Sequence, residues 1–195
     1  MAARGSYAKG VAKRDEILTT ALEVIARNGY RKASIRDLAA AVGLSQTGLL
    51  HYFGTKEELF AEILRKRDEI DGAELDVESS LTPAEFIAGL SKVVSHNAEV
   101  AGLVQLYSQF SAEAAEPGHP ARAYFQQRYE RYRSLVSNFV RAQQAAGQLP
   151  ATLDADRIAA LLAAATDGLQ TQWMLDDSID MVAHIQYLWE RLTAE

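Results

Sequence analysis

Residues 34–53 read S-I-R-D-L-A-A-A-V-G-L-S-Q-T-G-L-L-H-Y-F, and they contain two helix starts separated by a glycine. Ser34 and Asp37 have the spacing of a capping box, which opens the first helix. Gly43 ends it, because the turn needs a positive φ that costs other residues about 1 kcal/mol. Ser45 then caps a second, short helix. Two helices joined by a tight glycine turn are typical of a helix-turn-helix.

The second helix of this pair is too short and too polar to serve mainly for packing. We expect Gln46, Thr47, Gly48, Leu49 and His51 to face away from the core, whereas Leu50 packs inward. In a helix-turn-helix the first residues of the second helix reach base edges in the major groove. An amide such as that of Gln46 pairs with adenine, and the methyl group of Thr47 can contact thymine. A helical hairpin with an ordinary polar surface is the alternative.

The rest of the chain has helical periodicity, with no sustained alternation and no Asn-Gly or Asp-Gly hairpin. Capping boxes at Thr55–Glu58 and Thr82–Glu85 mark two further helix starts. The pattern predicts an all-α chain of nine helices. Their expected ranges are 13–28, 34–42, 45–52, 55 to beyond 70, from 82, 100–114, 121–146, 154–175, and 178 almost to the end.

Charge is distributed unevenly along the 195 residues, whose net charge is −6. Residues 1–56 hold nine Lys and Arg against four Asp and Glu, leaving eleven basic and twenty-two acidic residues in the remainder. A basic segment attached to an acidic one indicates a polyanionic partner for the first segment, unless the clustering is chance.

Several classes of protein are disfavoured by what the sequence lacks. There is no cysteine, no apolar run near 18–20 residues and no signal-peptide pattern, so we expect a soluble, cytoplasmic protein. The four histidines lack H-E-x-x-H spacing, and no P-loop, G-x-G-x-x-G or G-x-S-x-G is present. We therefore predict neither catalysis nor a metal or cofactor.

Residues 13–60, including L-S-Q-T-G-L-L-H-Y-F-G-T-K-E-E-L-F, resemble the DNA-binding signature of the TetR (tetracycline repressor) family of bacterial transcription regulators. The resemblance implies a homodimer that represses transcription from a pseudo-palindromic operator and is released by a small-molecule effector. Leu49 departs from the tyrosine that many members carry. The matching DNA-contact positions are Ser34, Arg36, Ser45, Gln46, Thr47, Gly48, Leu49, His51, Tyr52 and Lys56.

The resemblance also implies a division of the chain. We predict a flexible N-terminal arm at 1–12, a helix-turn-helix DNA-binding domain at 13–55, and a ligand-binding and dimerisation domain at 56–195 with a connecting helix at 56–78. The arm either reaches the minor groove or is a plain tail.

Residues of two kinds stand out in the predicted second domain. Apolar and polar side chains suited to a pocket are Phe86, Leu90, Val93, His96, Asn97, Tyr107, Phe110, Tyr129, Tyr132, Asp167, Gln170 and Trp173. Apolar faces on the last two helices suit a four-helix dimer interface: Ile158, Leu161, Leu162, Ala165, Leu169, Ile185, Leu188, Trp189 and Leu192. Both sets could instead be core, and the excess of acids suits either a cationic ligand or solubility.

A non-DNA function is also compatible with these patterns. A helical adaptor could use the same exposed helix-turn-helix face to bind another protein. Affinity for duplex DNA that falls steeply with salt distinguishes the two, because phosphate contacts release counterions.

Overall fold

The structure, a computed structural model, describes residues 2–74 and 81–194. These residues form nine α-helices and a 3₁₀ turn at Tyr30–Lys32, with no strand among them, which confirms the predicted all-α, nine-helix fold. The helices are α1 (Ala2–Asn28), α2 (Ile35–Ala41), α3 (Gln46–Phe53), α4 (Lys56–Glu74), α5 (Pro83–Glu99), α6 (Ala101–Glu113), α7 (Arg122–Ala145), α8 (Ala155–Leu175) and α9 (Met181–Thr193). Among the described helices, none is both long and apolar enough to cross a bilayer.

Most helix starts lie where the sequence predicts them, because they depend on local hydrogen bonds. The Ser34 hydroxyl accepts from the Asp37 amide, and Asp37 bonds back to Ser34. Thr82 and Glu85 form the equivalent box at α5. Asp154 accepts from the Arg157 amide at α8.

Two predicted helix boundaries, the start of α1 and the end of the connecting helix, are not matched by the described residues. The predicted start of α1 at Lys13 was wrong, since the helix begins at Ala2 and includes residues that were predicted as a flexible arm. No proline interrupts this segment, so the backbone hydrogen bonds of the helix can continue toward the N-terminus. Of the predicted connecting helix, residues 75–78 lie outside the described part of the chain.

The chain divides into two compact units. The first is built from the described part of Met1–Ile70 together with Val100–Arg122, and the second from the described parts of Asp71–Glu99 and Ala123–Glu195. The first unit therefore contains α1, α2, α3, most of α4, and α6. The functional division of the chain at residues 55 and 56 stays a prediction.

In the first unit α6 packs against α1 with almost no space between their backbones. A Cβ on Gly102 would clash with the carbonyl oxygen of Ile25 and lie 2.9 Å from the Cα of Gly29. Only glycine fits this crossing. In the same unit Phe60 packs edge-on to Tyr30 and to Phe110, with ring centroids 5.4 and 5.5 Å apart.

The second unit has a hydrophobic core centred on Phe86, which stacks on Phe139 at 4.0 Å and lies 5.5 Å from the Trp189 ring. Members of the predicted dimer face belong to the buried interior of this unit: Ile158, Leu162, Ile185 and Trp189. Their assignment to a dimer interface was wrong, because a side chain buried within its own chain offers no area to a partner.

The remaining residues of that predicted face differ in exposure. Leu188 and Leu192 pack partly buried against the same core. Ala165 and Leu169 are half-buried, whereas Leu161 is 49% exposed. Only the exposed side chains of α8 and α9 are therefore available for an interface.

We expect Gly102→Ala to lower the free energy of unfolding by roughly 1–3 kcal/mol, since the added methyl group must push α6 away from α1. Urea denaturation followed by circular dichroism measures the change. Gly10→Ala is the matched control, because a Cβ at Gly10 in α1 meets no atom within 4 Å. An equal loss of stability in both variants would contradict the close-packing argument.

Candidate DNA-binding site

The helix-turn-helix consists of α2, a glycine turn and α3. Gly43 adopts φ +68°, a conformation that side chains with a Cβ rarely tolerate. The Leu44 amide donates to the carbonyl of Ala39 at 2.9 Å and closes the turn. Ser45 then caps α3 by accepting from the Gly48 amide at 3.0 Å. Both predicted local features are present.

Most of the predicted DNA-contact residues are accessible. The exposed ones are Ser34, Arg36, Ser45, Gln46, Thr47, His51 and Lys56, and the half-buried ones are Gly48 and Tyr52. Gln46 and Thr47 occupy the first two positions of α3, where side chains and free backbone amides point toward an approaching anion or base edge. Their contact with DNA stays a prediction.

The outward orientation predicted for Leu49 was wrong, because its side chain is 0% exposed. Leu49 and Phe53 are four residues apart, so they lie on the same face of α3. Both are buried, which makes this the inner face of the helix. Leu50, predicted to pack inward, is half-buried instead. Leu49 therefore holds α3 in place and is withdrawn from the DNA-contacting set.

Gly48 lies where the backbone of α3 is closest to its own cap. A Cβ there would lie 3.2 Å from the Ser45 hydroxyl oxygen, which is a tight contact. A larger residue would press on the oxygen that caps the helix. Gly48 is consequently suited to the cap as well as to close approach of a nucleic-acid backbone.

Arg14 is a residue that the sequence interpretation counted only as charge. Its Nη1 donates to the Tyr52 carbonyl at 2.6 Å, and its guanidinium carbon lies 4.5 Å from the centre of the Phe53 ring. Its Nη2 is 3.2 Å from a Glu62 carboxylate oxygen on α4. Arg14 lies one turn before the buried Ile17, so it is on the inward face of α1. This spacing is the sequence feature that could have indicated its contacts within the protein.

Much of the positive charge of the first unit is paired within the protein. Lys13 lies 2.8 Å from Glu16, and Arg27 lies 2.7 Å from Glu23. Lys66 lies 2.7 Å from Asp15, and this hydrogen bond raises the pKa of the Lys66 ammonium. These three acidic residues of segment 1–56 are therefore ion-paired with basic side chains, and Lys13, Arg27 and Lys66 are not free cations.

Around α2 and the start of α4, charges are placed near helix N-termini. The Ser34 hydroxyl lowers the pKa of the Asp37 carboxyl group by hydrogen bonding. Arg36 is exposed, with its Nε 3.9 Å from Asp37, and the Lys56 ammonium lies 5.6 Å from the centre of the Phe60 ring. Of the predicted DNA-contact residues, Arg36 and Lys56 are the two with a permanent positive charge, and both are exposed, which suits contacts with phosphate.

The predicted ligand-binding residues are divided between the two units. Tyr107 and Phe110 are buried in the first unit, whereas the others lie in the second. There Phe86 and Leu90 belong to the hydrophobic core, Val93 is half-buried, and His96 is exposed with Nδ1 3.4 Å from Glu99. The remaining ones are Asn97 and Gln170, both buried, and the partly buried Tyr129, Tyr132, Asp167 and Trp173.

Two models of known families match this chain. The model described as "Bacterial regulatory proteins, tetR family" matches residues 17–63, which span the helix-turn-helix. A second, described as "BetI-type transcriptional repressor, C-terminal", matches residues 91–194, more than half of the chain. The chain belongs to the TetR family. It is thus a DNA-binding transcription regulator, as its sequence predicted.

Individual proteins agree with the family assignment. The transcriptional repressor KstR2 of Mycobacterium tuberculosis is 27% identical over 154 residues, which cover 75% of this chain and 74% of that protein. FadR of Bacillus subtilis, solved with stearoyl-CoA, superposes with TM-score 0.70 at 21% identity, covering 91% of this chain and 96% of that one. A Saccharomonospora viridis protein, described as a transcriptional regulator in complex with choline, has TM-score 0.65 and 26% identity, covering 91% and 93%.

We expect Gln46→Ala and Thr47→Ala to reduce discrimination between bases by about 1–3 kcal/mol each, because each removes a side chain that reads a base edge. Selection of binding sites from random duplexes measures the preference of each TetR-family variant. Thermal unfolding should be nearly unchanged, since both side chains are exposed. An unaltered base preference in both variants would refute the assigned orientation of α3.

Proposed function

We propose that this regulator is a homodimeric repressor that acts in the cytoplasm without a catalytic step. It binds a pseudo-palindromic operator through two copies of α3 and leaves it when a small molecule binds the second unit. The observation that carries the proposal is the start of α3, where Gln46 and Thr47 are exposed while Leu49 anchors the helix from behind. Membership of the TetR family supports repression.

The exposed sides of α8 and α9 support an interface between two copies of the chain. Leu161 and Leu175 on α8 are 49% and 85% exposed, and Tyr187 on α9 is 63% exposed. Ala164 and Gly168 lie between the two leucines at helical spacing, and their small size permits close helix approach. Because α8 packs against α9, two such pairs form a four-helix interface. Burying the rest of the Leu161 and Leu175 side chains contributes roughly 1–2.5 kcal/mol each, since Leu161 is already half-buried in one chain.

A dimer requires a two-part operator, and this can be tested directly. Selection from genomic fragments should recover sites with two inverted half-sites about 34–36 Å apart, the spacing of one turn of DNA. Leu161→Lys should sediment as a monomer and bind such a site about 100-fold or more weakly. The affinity gained by linking two DNA-binding helices in one dimer is then lost.

The control for this experiment is Val11→Lys, which charges an exposed apolar residue of α1 outside the proposed interface. This variant should remain dimeric. A dimeric Leu161→Lys protein would exclude the α8–α9 interface. Failure of the wild-type protein to bind any duplex in a salt-dependent way would favour the helical adaptor instead.

Polar groups between α7 and α8 of the second unit support an effector site there. The Tyr129 hydroxyl donates to the Asp167 carboxylate, and Tyr132 follows three residues later on α7. Burial raises the pKa of the Tyr132 hydroxyl, so this ring stays neutral. Trp173 lies further along α8 and is half-buried. Aromatic rings beside a carboxylate suit a small organic cation.

The structure of the Saccharomonospora viridis relative contains a ligand of this class, choline. The Bacillus subtilis structure contains stearoyl-CoA, a large anionic thioester, so chemically different ligands occur on this fold. The carboxylate of Asp167 and the rings of Tyr129 and Tyr132 carry our choice of a cation.

Choline should release the wild-type repressor from its selected duplex, and stearoyl-CoA should not. Asp167→Asn should raise the choline concentration needed for half-release about tenfold, because a negative charge that attracts the ligand is removed. Fluorescence anisotropy of labelled duplex measures release.

Asp156→Asn is the matched control, because Asp156 lies on the same helix in an exposed ion pair, 2.6 Å from Arg141. Its choline response should equal that of the wild-type protein. Release by stearoyl-CoA but not by choline or tetraethylammonium would overturn the choice of a cationic effector.

A further inference from the structure

We propose that Arg14 is a positioning residue for DNA recognition, because it fixes the orientation of α3 from the end opposite to the base-reading residues. The inference rests on the proposed function, since it concerns how α3 meets DNA. Arg14 is on α1 and contacts the last residues of α3 as well as α4. Through one side chain it therefore connects three helices of the first unit.

The contact with Tyr52 satisfies a helix end. The carbonyls of the last turn of α3 have no partner within the helix, and the Tyr52 carbonyl accepts from Arg14 Nη1 at 2.6 Å. A cation at this position is also favoured by the negative end of the helix dipole. This hydrogen bond is short and its donor is charged, so it is one of the stronger links between α1 and α3.

The same guanidinium is held from two other directions. Its carbon atom lies 4.5 Å from the centre of the Phe53 ring, and its Nη2 lies 3.2 Å from Glu62 Oε2 on α4. A planar guanidinium can donate in two directions while it stacks on a ring, whereas a lysine ammonium cannot reproduce the three contacts together. The guanidinium of Arg14 is therefore held by contacts within the protein on three sides.

The geometry of α3 makes its far end sensitive to this support. Gln46 and Tyr52 are six residues apart, so about 9 Å of helix axis separates them at 1.5 Å per residue. A tilt of about 10° at the Tyr52 end moves the Gln46 end by about 1.5 Å, enough to break a hydrogen bond to a base. Phosphate contacts by flexible side chains tolerate such a shift better.

The chain provides a matched comparison on the same two helices. Asp15 and Lys66 form another ion pair between α1 and α4, at 2.7 Å. Within the described residues, neither side chain is hydrogen-bonded to or ion-paired with α3. Lys66→Gln therefore removes an α1–α4 link while leaving the support of α3 intact, and Arg14→Lys removes the support of α3.

The test measures affinity for two duplexes over a range of salt concentrations: the duplex selected by the wild-type protein and a scrambled duplex of equal composition. For Arg14→Lys we expect about a tenfold loss on the selected duplex, under twofold on the scrambled one, and an unchanged salt slope. Glu62→Gln, a second variant in case Arg14→Lys does not fold, should lose about threefold on the selected duplex alone. Lys66→Gln should change neither affinity.

Two results would overturn the proposal. Equal losses on both duplexes for Arg14→Lys, together with a salt slope that Arg14→Gln lowers by about one, would mean that Arg14 contacts a phosphate, as we expect for Lys56→Gln. Effects of Arg14→Lys no larger than those of Lys66→Gln, once the folded fraction is measured in urea, would mean that Arg14 only stabilises the unit. If the wild-type protein binds no duplex, the proposed function itself fails.

Discussion

An eight-residue helix is not stable alone in water, so α3 exists only because the first unit holds it. Leu49 and Phe53 bury its inner face, and the Ser45 hydroxyl accepts from the Gly48 amide in its first turn. Arg14 binds a carbonyl at its other end. Because all of these supports lie behind or at the ends of the helix, its outer face is left to Gln46, Thr47 and His51.

This arrangement separates the residues that hold α3 from those available to read DNA. A change at Leu49 acts on folding, and a change at Gln46 acts on base preference. The exception is Gly48, which lies against the Ser45 cap and on the outer side of the helix start. Substitution there would affect the cap and the approach of DNA together, so the two effects are hard to separate at that position.

Local features of the fold were predictable from sequence, whereas the burial of particular faces was not. The boxes at Ser34 and Thr82 depend on residues three apart, so the sequence alone specifies them. Leu49 and Leu50 could not be assigned correctly, because neighbouring helix positions differ by about 100° and small boundary errors exchange them. The apolar faces of α8 and α9 were predictable, but which residues bury within the chain depends on Phe86 and Phe139, far away in sequence.

The internal pairing of basic residues has a consequence for how the regulator finds its target. Lys13, Arg14 and Arg27 already have acidic partners, so fewer cations are available to bind arbitrary duplex. A genome offers roughly 10⁶–10⁹ competing sites, and each additional phosphate contact strengthens binding to every one of them. Weaker attraction of this kind shortens the time that the protein spends bound to non-cognate DNA. A larger share of the molecules is then free to occupy the operator.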